Sequence, residues 1–199
     1  MHLNRLKLLS ALLALMLSGC IGGGTSPASN FYLLEPVTET KQPGPSDDAR
    51  ISIGLRPVGI PDYVDRPQLV TATDKNAYHL SEFNRWAEAL DYNITRVLAR
   101  NLTVLTPADV WLTRSSRFAQ QAAFRLAVDI HQFHIDPQGQ AVLAAQWTVS
   151  SDRKLLLNRQ MSYRVEASNS DYRLMVAALN DCLDRLSEDI AQSLRQLNR

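Results

Sequence analysis

Two cysteines and four histidines carry all the thiol and imidazole chemistry of this 199-residue chain. The thiol whose surroundings point to a reaction is Cys20. It follows Leu17-Ser18-Gly19 at the end of an apolar run from Leu8 to Leu17, with Arg5 and Lys7 ahead of it. A basic start, an apolar stretch and small residues before a cut form the layout of a secretory signal peptide. About ten apolar residues fall well short of the roughly 20 that cross a bilayer as a helix. Residues 1–19 therefore read as a removed signal peptide, which leaves the Cys20 thiol and its new amino group available for acylation.

Leu17-Ser18-Gly19-Cys20 is the lipobox pattern of bacterial lipoproteins. The expected groups on Cys20 are a diacylglycerol and an amino-terminal acyl chain, and no other cofactor is expected. Each buried methylene contributes about 0.8 kcal/mol, so one chain binds marginally and two or three hold the protein on one leaflet. Ile21, where an Asp would favour inner-membrane retention in lipoproteins of this kind, favours the periplasmic face of the outer membrane. Residues 20–30, with Gly22-Gly23-Gly24 and Thr25-Ser26-Pro27, read as a flexible linker. Ten such residues span roughly 15–20 Å.

Other chemistry is sparse. His131 and His134 stand three apart in a predicted strand, on opposite faces unless a bulge intervenes, and His79 is distant in sequence. No metal site is expected, and no nucleophile–base constellation or phosphate loop marks a catalytic residue. Arg85 and Glu88 have the spacing of a helix-surface ion pair worth a few tenths of a kcal/mol. Asp62, Asp65 and Arg66 lie in a stretch with Pro57, Pro61 and Pro67 and admit two readings: a shaped partner-contact loop, or charges bonding their own backbone. Removing Arg5 and Lys7 leaves 19 basic against 20 acidic side chains, and no basic run stands out. Nucleic-acid binding is not expected. With Cys20 acylated, Cys182 has no partner for an intramolecular disulfide, and its place on an apolar helix stripe predicts burial.

The elements that position these residues follow from hydrophobic spacing. Phe31–Leu34, Ile51–Leu55 and Gln68–Thr73 read as strands, with Ala77–Leu80 a short return and residues 36–49 a polar loop. Ser81 has the type of a helix cap. Phe83, Trp86, Leu90, Ile94, Val97 and Leu98 then recur at three- and four-residue steps, predicting an amphipathic helix from there onward. Leu102–Leu105 reads as a short strand and Val110–Leu112 as an apolar insertion. Residues 123–166 read as a three-stranded meander with a bulge near Gln132 and a turn at Asp136–Gly139. Met175, Leu179, Leu183, Leu186, Ile190, Leu194 and Leu197 form the stripe of a closing helix. Residues 31–199 thus predict one α+β domain: a largely antiparallel sheet with two long helices packed on one face.

Several of these segments together carry a family resemblance. Ile53-Gly54-Leu55-Arg56-Pro57-Val58, the Pro61-Asp62-Tyr63 and Asp65-Arg66-Pro67 pieces, and Arg85-Trp86-Ala87-Glu88 resemble the ABC-type transport auxiliary lipoproteins of the paraquat-inducible operon type. Ala89 departs from the Pro expected in many relatives. The resemblance implies a fold related to the TolB amino-terminal type and a non-enzymatic role in trans-envelope phospholipid transport. It implies an inner-membrane transport component and a periplasmic MCE-domain tube protein as partners. A homo-oligomeric ring formed through an exposed sheet edge fits such a tube. Pro61, Asp62, Tyr63, Asp65, Arg66, Pro67, Arg85, Trp86 and Glu88 are the expected partner contacts. A lipid-binding carrier and a structural lipoprotein of another envelope assembly are the competing readings.

Overall fold

Alternating apolar residues draw the longest strands of the molecule. The computed structural model describes residues 27–37, 51–113 and 116–197. The signal segment, Cys20, the linker up to residue 26 and most of the predicted polar loop (38–50) lie outside the described residues. The strands are β1 (Asn30–Tyr32), β2 (Ile51–Leu55), β3 (Gln68–Asp74), β4 (Ala77–Trp86), β5 (Ala108–Leu112), β6 (Phe124–Ile135), β7 (Gln140–Ser151) and β8 (Lys154–Glu166). Helix α1 (Leu90–Leu105) follows β4, a 3-10 turn (Arg117–Gln120) precedes β6, and α2 (Tyr172–Leu197) closes the chain.

All eight strands form one mixed sheet with the order β1-β4-β3-β6-β2-β5, and β7 and β8 extend it from the other edge of β6. The long ladders β3–β4, β6–β7 and β7–β8 are antiparallel. The short pairings β1–β4, β2–β5, β2–β6 and β3–β6 are parallel. Both helices pack on the sheet and on each other, which is the predicted α+β arrangement.

The meander matches its sequence pattern closely. Ala141, Leu143, Ala145, Trp147 and Val149 of β7 are all buried, as alternation requires of a face that meets α2. Met175, Leu179, Leu183, Leu186, Ile190 and Leu194 are buried at helical spacing, and Leu197 packs at the margin. Cys182 is fully buried beside them, its Sγ 3.6 Å from the Ala141 carbonyl oxygen. Burial pushes its thiol up to about 11, so it stays protonated and unreactive. The bulge falls between Ile130 and Gln132. Gly139 turns the chain with φ 78°, helped by Asp136 Oδ1, which accepts from the Gln138 and Gln140 amides. Asp152 and Arg153 make the β7–β8 turn with φ 47° and 66°.

The first half corrects several expectations. The predicted helix from Ser81 is strand β4 through Trp86, and the helix begins at Leu90. Ser81 is no cap: its Oγ accepts from the backbone amide and side-chain amide of Asn84. Tyr32 pairs with Trp86 across β1–β4, and the Pro67 carbonyl accepts the Trp86 amide at 2.7 Å; these distant partners hold the segment extended. Ala89 sits before the helix with φ −57° and ψ 128°, backbone that a proline would share. Leu102–Leu105 continues α1, with Leu102 fully buried and the Thr106 amide closing the last turn on its carbonyl. Val110–Leu112 belongs to edge strand β5, paired with β2.

The first strand ends at Tyr32 because Leu34 gives its backbone to a side chain instead. Asn93 accepts the Leu34 amide at 2.8 Å and donates to its carbonyl at 3.1 Å. Asn180 takes the Glu35 amide and Asn101 the Val37 amide, so three helical asparagines clamp the incoming chain between α1 and α2.

Candidate functional site

The stretch from Arg56 to Pro67 runs beside β6 and then leaves it. β2 pairs with Phe124–Leu126, and Gly59 continues the contact: its amide donates to the Val128 carbonyl at 3.0 Å, and its carbonyl accepts the Ile130 amide at 2.8 Å. From Ile60 to Pro67 the prolines prevent ladder pairing. β3 resumes contact with β6 at Thr71–Ile135.

Tyr63 fills the gap this leaves. Its hydroxyl accepts the Phe133 amide at 3.1 Å and lies 2.8 Å from His134 Nδ1. In the Nε2–H tautomer His134 accepts the phenol proton at Nδ1, and in the Nδ1–H tautomer it donates to the same oxygen. Burial lowers the His134 pKa; the Asp136 carboxylate opposes that shift and the Arg164 guanidinium adds to it. Burial likewise pushes the Tyr63 phenol up to about 12, so it remains a donor. Tyr78 packs 5.0 Å from the Tyr63 ring and 5.5 Å from His134, completing an aromatic brace.

Around this brace the loop is stiff. Val58 and Val64 are buried, and the Val58 amide donates to Thr95 Oγ1 on α1. The Pro61 carbonyl accepts from Val64 and Asp65, and Arg66 Nη2 reaches the Asp62 carbonyl at 3.1 Å. Asp62, Asp65 and Pro67 remain exposed, so the loop presents two carboxylates on a fixed backbone. Arg66 works locally, bonding the loop's own backbone, while the aspartates face outward.

The other expected contacts divide. Arg85 lies beside the loop's exit, in register with Gln68. Trp86 is 6% exposed and packs near Phe133, so it supports the site from inside and offers no surface. Glu88 does not pair with Arg85; it meets Arg96 Nη2 at 2.7 Å, because the helix begins two residues later and Arg85 points from a strand. His131 is exposed at the bulge and His134 is buried under Tyr63, so the two do not converge. Cys20 lies outside the described residues. Sequence reasoning missed the roles of Phe133, His134 and Tyr78, and no local pattern signals a backbone amide left open by a strand 70 residues away.

Over 193 residues the chain is 26% identical to the Intermembrane transport lipoprotein PqiC of Escherichia coli K12, covering 96% of this chain and 98% of that protein. The Shigella flexneri protein of the same name matches equally. A crystal structure of an uncharacterised protein superposes with a TM-score of 0.71 at 21% identity, over 84% of this chain and 99% of that one. Protein XCC0632 from Xanthomonas campestris gives 0.64 at 13% identity, over 81% and 92%. These two structures share the fold. Residues 32–191 match the family model described as ABC-type transport auxiliary lipoprotein component. From Tyr32 in the first strand to Ala191 in the closing helix, then, the chain belongs to the ABC-type transport auxiliary lipoprotein family.

Proposed function

We propose that this protein is the outer-membrane mount of an intermembrane phospholipid transport system. The observation that carries the reading is the braced loop Pro61–Pro67, which holds Asp62 and Asp65 outward on a rigid backbone in a chain alignable end to end with an intermembrane transport lipoprotein. Acyl chains on Cys20 hold the domain to the periplasmic face, and residues 20–30 let it orient. The loop, with Arg85 beside it, docks a periplasmic MCE-domain tube protein fed by an inner-membrane component. Its role is positioning, without chemistry on the cargo. Copies of the chain would assemble as a ring through a free sheet edge, of which the 13-residue β8 is the longest.

Binding of a purified periplasmic MCE-domain protein to the acylated full chain in phosphatidylethanolamine–phosphatidylglycerol vesicles tests the docking. Asp65→Ala should weaken the complex roughly tenfold, as loss of a charge-assisted contact does, and Arg66→Ala should weaken it by releasing the Asp62 carbonyl that Arg66 holds. Unchanged affinity for both removes the loop from the interface. A Cys20→Ser protein should be released from membranes.

A further inference from the structure

Strand β8 breaks its own pattern at Arg159. On one face of β8 the positions run Leu157, Arg159, Met161, Tyr163, Val165, each registered opposite a buried residue of β7, though only Tyr163 is itself buried. Arg159 stands across from Trp147, at the end of the sheet where α2 leaves a cleft of about 220 Å³. Arg159 is exposed, so its guanidinium stands in solvent at the mouth of the cleft. Among the described residues Arg159 enters no ion pair or side-chain hydrogen bond.

Two further groups of the cleft have capacity to spare. Trp147 lies beneath it, 1% exposed, and its Nε1 has no hydrogen-bond partner. An unpaired buried donor costs about 1–3 kcal/mol, a deficit that an entering acceptor removes. Met161 above it is an exposed, flexible side chain able to move aside. From α2 Asp189 also lines the cleft; it accepts the Tyr163 hydroxyl through Oδ2 at 2.6 Å, while Oδ1 makes no hydrogen bond among the described residues. Gln192 and Ser193 follow on the same helix face and add amide and hydroxyl acceptors.

We propose that this cleft binds a phospholipid headgroup of the phosphoethanolamine class, its phosphate on Arg159 and the Trp147 indole N–H and its ammonium on Asp189. A guanidinium, a buried indole N–H and a carboxylate around one cleft match a small zwitterion better than a simple anion. The lining supplies hydrogen-bond acceptors for a primary ammonium, where a quaternary one would call for an aromatic cage. The exposed Met161 side chain offers apolar contact to the glycerol backbone. The choice of a lipid headgroup over another small zwitterion rests on the transport reading above.

The test uses the full acylated chain in phospholipid-free detergent micelles, titrated with sn-glycero-3-phosphoethanolamine. The indole N–H resonance of Trp147, identified by its loss in Trp147→Phe, should shift and saturate. Arg159→Gln should weaken binding roughly tenfold or more. Asp189→Asn retains an acceptor for Tyr163 and should reduce the affinity to that shown for glycerol 3-phosphate. An unmoved Trp147 resonance overturns the proposal, as does Arg159→Gln binding like the parent. Glycine or inorganic phosphate competing as well as the headgroup would also overturn it, by showing a site for any small zwitterion or anion. The readout involves no partner protein: failure here leaves the docking proposal standing, and failure of MCE capture leaves this one standing.

Discussion

The two edges of β6 solve the same problem in opposite ways. One edge pairs with β7 from Arg125–Ser150 to Ile135–Ala141, interrupted by a single bulge. The other is served in turn by β2, the backbone of Gly59, the hydroxyl of Tyr63 and finally Thr71 of β3. Where backbone pairs with backbone, the surface is a plain sheet and the apolar face simply meets a helix. Where the partner chain swings away, a side chain must satisfy the strand, and the segment set free becomes a braced loop. The second edge therefore carries the docking candidate, and its stability rests on a few specific side chains more than on buried area.

That contrast can be broken or sharpened by measurement. The largest effect belongs to the regular edge: Leu143→Ala, at a fully buried position, should cost about 2–5 kcal/mol in denaturant unfolding. A loss under 1 kcal/mol would mean that the meander is not the stability centre. Next comes Tyr63→Phe, which leaves the Phe133 amide and His134 Nδ1 unpaired and should cost about 1–3 kcal/mol. Hydrogen exchange should speed at Phe133, while amides in the β6–β7 ladder keep their protection; uniform loss would erase the distinction between the edges.

A smaller effect should appear with pH. Folded His134 resists protonation, whereas the unfolded chain takes a proton near the ordinary value of 6.5. Its contribution is therefore full above about pH 6.5 and declines as the pH falls below that, toward the lowered folded value. Thermal midpoints measured between about pH 7.5 and 5 should fall more steeply for the parent than for His134→Gln. Parallel slopes would remove His134 from the brace's pH response. Smallest of all, Asp65→Ala should change stability by no more than about 0.5 kcal/mol, because its side chain is exposed. Any loss of partner binding in that variant then reports the surface and not the fold.

Legibility in the sequence follows the same division. β6, β7 and α2 were readable because each buries apolar residues at the period of its backbone, down to the bulge beside Gln132 and the turn at Gly139. The stretch Ser81–Ala89 was misread because β4 carries an irregularity against β3: Leu80 faces Val70, and Arg85 faces Gln68. The shift places buried Ser81 and Trp86 five residues apart, so two-residue alternation is lost and a helical spacing of Phe83, Trp86 and Leu90 takes its place. Tyr63 and Arg66 stood out as loop residues, yet the tyrosine's use as a substitute strand partner depends on a gap in β6 that no neighbouring residue announces. Arg159 went unmarked in the sequence reading, because its significance required Trp147 and Asp189 from two other elements.

The sequence by itself determined which faces are buried in the meander and the closing helix, because burial repeats with the geometry of the local backbone. It also marked a proline-punctuated loop that could not join a ladder. Only the tertiary structure decided that Trp86 is strand and core, that Glu88 belongs to Arg96, and that Tyr63 completes the edge of β6. Those outcomes turn on partners brought together from distant parts of the chain, and their hydrogen bonds outweigh the small local preferences that a sequence pattern reports.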